Sequence, residues 1–313
     1  PRRASHPEEL VRQAAQLGYS ALAITDECSL AGVVRAHVAA RDHGLKLIVG
    51  SELRLDDLRL VLLAPGRRAY GQLSALISLA RMAAPKGEYH LTRDDLENGV
   101  PNCLALLIAE PGLTDEAVDW FARHFDDRGW LGVPLPRDGC HDERLAEAAR
   151  HGRRCGLPLT ACGDVLMHRR GRRALQDTLT AIRLNTPLPG IGAALQSNGE
   201  RHLRARHYLA RTYPSDLLEE TLRIAGRCAF SLDELRYEYP EELVPPGRTP
   251  AGHLRELTES GARRRWPEGV PDSARRQIEH ELALIRDLAY EPYFLTVHRS
   301  EEHTSELQSP SAI

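Results

Sequence analysis

Three carboxylates in this chain, Asp26, Glu52 and Asp164, each follow a short apolar run that reads as a buried strand: Ala21–Thr25, Lys46–Val49 and Leu157–Cys162. In parallel α/β architectures the ends of such strands gather on one face, where ligands and metals bind. Carboxylates brought together there repel one another unless a cation or a basic group balances them. Divalent metals suit oxygen ligands of this kind, with histidine completing a zinc- or manganese-like set. His168, close behind Asp164, is the candidate imidazole. His37 and His43 sit in a helical stretch and read as surface or packing residues. The competing reading is that the carboxylates are plain loop or cap residues after strands.

A second group with chemical capacity is the basic cluster Arg169, Arg170, Arg172 and Arg173 around Gly171. Guanidinium forks suit phosphate oxygens. The same residues also fit a solvated helix face paired with acids from elsewhere. No aromatic residue interleaves the cluster, so it offers no platform for stacking bases. The sequence holds no P-loop, no G-x-G-x-x-G and no G-x-S-x-G, which leaves nucleotide-hydrolase and serine-hydrolase chemistry without support.

These residues need elements to hold them. Ser5 and Glu8 have capping-box spacing at a helix start, and Gly18 closes that helix. Ala21–Thr25, a helix over Leu30–His43 closed by Gly44, and the strand Lys46–Val49 then follow with short connections. This order predicts a parallel sheet or barrel. Two short apolar segments around Asp56-Asp57 predict a local hairpin. Tyr70–Met82 and Asp142–Arg154 read as helices, and Leu104–Ala109 as another buried strand. Beyond about Leu175 helices dominate, with a proline-rich loop over Tyr237–Pro250 and a long amphipathic helix over Asp272–Leu288.

Composition agrees with a water-soluble globular chain of about two domains: 42% hydrophobic residues, 27% charged residues and 313 residues in all. A net charge of -3 gives no overall attraction to nucleic acid, so DNA contact must come from a local basic patch. Apolar runs such as Cys103–Ala109 are too short to span a bilayer. The six cysteines are scattered without a C-x-x-C pair, which points to free thiols in a reducing cytoplasm, and no membrane partner or signal peptide is expected. Residues 299–313 ignore the apolar periodicity before them and are expected to be a non-native, adapter-derived tail, excluded from fold reasoning.

The stretch Ala21–Glu52, with L-A-I-T-D, a helix and a G-x-E strand end, resembles the polymerase and histidinol phosphatase (PHP) domain. The segments SHPEE (5–9), PKGEY (85–89), QDTLTAIRL (176–184), FSLDELRYEYP (230–240), IEHELALI (278–285) and YEPYFLTVH (290–298) resemble the bacterial C-family of error-prone DNA polymerases, related to the polymerase III alpha subunit. That resemblance implies an incomplete PHP-type (β/α)7 barrel over residues 1–210, lacking its first strand. It also implies a mainly helical lead-in to the polymerase palm over 211–298. The implied parent is a Mg2+-dependent nucleotidyltransferase that copies damaged templates. Its partners would be primer-template DNA, deoxynucleotides and mutagenesis or replication accessory proteins.

Its catalytic aspartates would lie beyond His298, so none is assigned here and the fragment alone is expected to be inactive. Active PHP members carry H-x-H on the first strand, T-D-H where this chain has Thr25-Asp26-Glu27, and a strand-end histidine near Val133–Leu135. Related error-prone enzymes often show G-D-V-H-M-H at Gly163–His168, where Leu166 replaces one histidine. Asp26, Glu52, Asp164 and His168 remain, too few to hold two or three metals. The resemblance therefore implies a structural PHP module. The alternatives are a stand-alone PHP phosphoesterase or proofreading exonuclease, and a non-catalytic docking module.

Overall fold

The computed structural model describes residues 4–55, 58–235 and 244–307, with backbone alone at 193 and 300–307. The Asp56-Asp57 turn and the first part of the proline-rich loop fall outside these residues. The chain divides into one compact unit over Pro1–Leu235 and a second over Arg236–Ile313.

Six strands build the first unit: β1 (Ala21–Glu27), β2 (Lys46–Leu55), β3 (Leu58–Leu63), β4 (Leu104–Ile108), β5 (Gly129–Pro134) and β6 (Leu159–Cys162). They form one sheet in the order β1-β2-β3-β4-β5-β6. β1 pairs with β2 in parallel, β2 with β3 and β3 with β4 antiparallel, and β4 with β5 and β5 with β6 in parallel. The parallel pairs follow the helix–strand alternation, and the antiparallel β2–β3 pair is the hairpin expected around Asp56-Asp57. β2 runs past Gly50 to Leu55 and returns at once as β3, with no room for the crossover a parallel neighbour needs. Among the described residues β1 and β6 each pair with a single strand, so the sheet is an open, incomplete barrel.

Helices α1 (Pro7–Gln16), α2 (Val33–Asp42), α3 (Arg67–Met82), α4 (Arg93–Gly99) and α5 (Asp115–His124) bring apolar faces onto one side of the sheet. One face of β2 and β3 is apolar, with Leu53, Leu55, Leu58, Leu60 and Leu62 all buried, while the other carries Glu52, Arg54 and Arg59. Under α5, Phe121 and Phe125 stack with centroids 4.9 Å apart. α6 (His141–Cys155) ends on Gly156 at φ 69°, a left-handed cap that a residue without a Cβ adopts at low cost. Further along lie α7 (Arg173–Leu184), α8 (Leu188–Ile191), α9 (Arg206–Thr212) and α10 (Ser215–Arg227). α10 covers the opposite sheet face, where Ile224 and Cys228 meet Ile48, Leu63, Leu104 and Trp130. The Trp130 indole N–H donates to Glu220 Oε1 at 2.7 Å, which satisfies a buried polar group on that face.

The first helix starts one residue later than the Ser5-to-Glu8 spacing predicts. His6 is the N-cap, and its backbone N–H donates to Glu9 Oε2 at 2.9 Å. Pro7 at the first helical position explains the shift, because its fixed φ suits that place and its missing N–H costs nothing there. Glu8 is left free to pair with Arg35, and Ser5 turns to His168.

The second unit holds α11 (Pro250–Arg265), α12 (Asp272–Asp287) and α13 (Glu291–Leu307). Leu254, Ile285 and Leu295 form its small core. Arg255 donates a two-pronged bond to Glu279 at 2.7 and 2.8 Å, while Glu281 accepts from Gln277. The two glutamates thus face different neighbours, as their spacing along one helix requires. No described helix is long and apolar enough to cross a membrane.

Candidate functional site

A cavity of about 880 Å³ opens in the first unit where strand ends and the β2–β3 hairpin meet. Asp26, Glu52 and Asp164 all line it, so the structure brings the three carboxylates to one cavity. Their settings differ from the expectation. Asp164 follows β6 as predicted, in a left-handed conformation at φ 42°. Asp26 is inside β1, whose last residue is Glu27. Glu52 is not at a strand end: it sits in the middle of β2, because the strand continues to Leu55.

What balances these acids is a side chain the sequence reading missed. Arg59, on β3 across from Arg54 in the antiparallel register, is 7% exposed. Its Nε and Nη2 donate to Glu52 Oε1 and Oε2 at 3.0 and 2.8 Å. Its Nη1 donates to Asp164 Oδ2 at 2.9 Å and to Glu110 Oε1 at 3.2 Å, and its Nη2 also bonds Asp164 Oδ1. Arg201 adds a second cation, pairing with Asp164 Oδ2 and donating from Nε to the Asp164 carbonyl at 2.8 Å. Arg54, half exposed at the rim, lies 3.9 Å from Glu52 and 3.7 Å from Glu110.

Burial alone would push the Asp164 carboxyl up. The hydrogen bonds from Arg59 and the charges of Arg201 and Arg59 outweigh it and bring the group down to about 2. Burial likewise works against the charge on Arg59, yet bonds to Asp164 and Glu52 raise its pKa well above the ordinary arginine value. Both partners therefore stay ionised at neutral pH.

The other candidate ligands are committed elsewhere. Asp26 Oδ2 accepts the backbone N–H of Gly32 at 3.1 Å and shapes the loop that enters α2. A Cβ on residue 32 would stand 2.4 Å from that oxygen, so the loop needs glycine for this approach. The His168 ring places Nδ1 2.7 Å from Ser5 Oγ, and its backbone N–H donates to the same hydroxyl at 2.9 Å. Burial, with Arg172 and Arg169 nearby, holds His168 below its ordinary value against the pull of Glu9. His168 is therefore part of a clasp on the start of the chain. Ala4, beside it, donates to Leu166 O and to Gln176 Oε1. His37 meets Asp233 at 3.1 Å, and His43 is an exposed C-cap residue.

Among the described residues no group of three His, Cys, Asp or Glu side chains is arranged to hold a metal ion. The donor set itself does not fit one: Glu52 and Asp164 spend their oxygens on guanidinium groups, and Asp26 on a backbone N–H. At the position where a histidine near Val133–Leu135 would end β5, Leu135 is held by other groups. Its N–H donates to Tyr213 Oη at 3.2 Å and its carbonyl accepts from Arg204 at 3.1 Å.

The basic cluster is paired within the fold. Arg169 donates to Gln13, Arg170 lies 3.5 Å from Glu200, Arg172 pairs with Glu9, and Arg173 lies 3.5 Å from Asp177 while donating to Gln196 O. Arg170 and Arg172 thus meet acids from other segments, Arg173 one from its own helix and Arg169 a neutral amide.

The sheet is open and its carboxylates line one cavity, and residues 3–133 match the PHP domain family model. Residues 252–306 match the model described as Bacterial DNA polymerase III alpha NTPase domain. The chain is 60% identical over 299 residues to the error-prone DNA polymerase of Methylococcus capsulatus, and 56% identical over 299 residues to that of Alkalilimnicola ehrlichii. Each match covers 95% of this chain, and the chain spans 29% of the length of each of these two relatives. A solved structure of an amidohydrolase from Chromobacterium violaceum aligns with a TM-score of 0.39 and 15% identity, over 51% of this chain and 81% of that one.

Proposed function

We propose that this chain is the N-terminal part of an error-prone DNA-directed DNA polymerase, a cytoplasmic nucleotidyltransferase acting in translesion synthesis and DNA repair. The observation that carries the reading is the 60% identity that runs across both units of the chain. Residues 1–210 serve as the PHP module, residues 211–298 lead into the polymerase core, and 299–313 are foreign to the natural protein. Reads of the flanking DNA test these boundaries. The parent takes primer-template DNA and deoxynucleotides, works with mutagenesis or replication accessory proteins, and uses Mg2+ for two-metal phosphoryl transfer in a palm outside this chain. The PHP module is a scaffold rather than a phosphoesterase or exonuclease, a view supported by the arginine-filled carboxylate pocket.

The parent is expected to extend a primer past an abasic site that halts a high-fidelity polymerase. Arrest of both enzymes at the lesion, with equal extension on undamaged template, would remove the translesion role.

DNA contact through Arg169, Arg170, Arg172 and Arg173 is expected to be weak and independent of sequence, because each guanidinium already has an internal partner. Binding to a duplex should fall steeply with salt as counterions are released. The fourfold Arg→Ala variant should bind less tightly and show a shallower salt slope, by about one unit for each phosphate no longer engaged. Titration by fluorescence anisotropy checks this, and equal affinity and slope in both proteins would clear the cluster of any DNA role.

A further inference from the structure

The cavity is lined by β2, β3 and the segment after β6, and Glu110, two residues after β4, reaches its arginine. A guanidinium has five N–H donors in a fixed plane. In Arg59 all five are directed at carboxylate oxygens: two at Glu52, two at Asp164 and one at Glu110. Charge closes as well. The two buried acids, Glu52 and Asp164, face two cations, Arg59 and Arg201. A divalent ion added to this set would leave two uncompensated positive charges beside buried side chains, which is costly.

We infer that the Arg59 guanidinium is the resident cation of this strand-end pocket, standing where carboxylates of this arrangement would otherwise need a metal and keeping divalent ions out. It ties a mid-strand glutamate on β2 to a loop aspartate after β6, two residues far apart in sequence. It does so with directional bonds that a diffusible ion would supply only when bound. The arginine thus makes the pocket a permanent strut of the open sheet, independent of metal supply. This holds whatever reaction the parent protein catalyses.

Lysine cannot replace it, because a single ammonium has three donors at one point and no planar fork. Alanine leaves the two buried carboxylates, Glu52 and Asp164, with only Arg201 and the rim residue Arg54 to answer them.

Thermal unfolding of the wild type, Arg59→Lys and Arg59→Ala decides the matter, each run with 1 mM MnCl2 and with 10 mM guanidinium chloride against 10 mM NaCl. The wild-type midpoint should not move with Mn2+. The Arg59→Ala midpoint should fall by roughly 10 °C, from the cost of uncompensated buried charge spread over a domain of this size. Both Mn2+ and guanidinium should recover part of that loss. Arg59→Lys should fall less and stay unresponsive to Mn2+. If Arg59→Ala does not fold, the lysine variant carries the test. A lysine variant as stable as the wild type overturns the inference. So does a wild-type midpoint raised by Mn2+, or an Arg59→Ala protein that is either undiminished or rescued by neither cation.

Discussion

Asp164→Asn is expected to destabilise the first unit by about 3–5 kcal/mol, the usual consequence of removing one partner of a buried ion pair. The amide keeps the shape of the carboxyl but abandons two guanidiniums, Arg59 and Arg201, that both rely on Asp164. It also turns one oxygen into an N–H2 donor that points at donors. The same pair predicts an acid-side effect in the wild type. The Asp164 carboxyl is held at about 2 against an ordinary 3.8, so its folded-state value is depressed. A depressed carboxyl stabilises the fold above its unfolded value and loses that contribution as pH falls through the folded one. The contribution is on the order of 2–3 kcal/mol at neutral pH and should disappear between roughly pH 4 and pH 2. Urea unfolding at pH 7 and pH 3, followed by far-UV circular dichroism, separates the proteins. The wild type should lose stability over this range more steeply than Asp164→Asn. Parallel losses, or an Asp164→Asn protein as stable as the wild type at pH 7, would mean that the Arg59–Asp164–Arg201 group contributes nothing.

The carboxylates of this pocket were legible because a charged residue ending a buried apolar run has few structural reasons to be there. Asp164 obeys that logic to the letter. Glu110, two residues after β4, obeys it too and went unread, although the strand before it was recognised. Arg59 is harder to see. It stands in L-R-L-V-L-L, where one charged residue in a short hairpin strand reads as solvent-facing, and its partners lie in β2, after β4 and after β6. No local period carries that information. The role of Glu52 was misplaced for a related reason: Gly50-Ser51 looks like a strand terminator, yet Gly50 is there because β3 crowds it. A Cβ at residue 50 would stand 2.5 Å from the Leu62 carbonyl oxygen. A glycine forced by close backbone approach and one that ends a strand look alike in a sequence.

The same ambiguity hid β5. The segment G-W-L-G-V-P carries two glycines and a proline, which argue locally for a loop. In the fold, a Cβ at residue 129 would stand 2.7 Å from the Phe125 carbonyl oxygen in the turn after α5 and 2.9 Å from the Phe121 ring, so only glycine fits. The helical second unit was plainer, because Asp272–Asp287 carries a long amphipathic pattern that ends close to where the sequence places it. The family resemblance contributed what periodicity could not: the order of unrelated segments along the chain, which the relatives share over 95% of its length.

The central claim, a scaffold module in front of a polymerase centre that lies outside this chain, is tested most directly by primer extension. Two purified proteins are compared on a primed template with deoxynucleotides and Mg2+: this chain, and the full-length parent. Polymerisation requires two metals about 3.5–4 Å apart on acidic side chains that face the primer end. In this chain Glu52 and Asp164 are occupied by arginines, Asp26 by a backbone N–H, and Glu279 by Arg255. Extension is expected from the parent, none from this chain, and undiminished extension from a parent carrying Asp26→Ala. Incorporation by this chain alone, abolished by substituting any acid within residues 1–298, would contradict the claim.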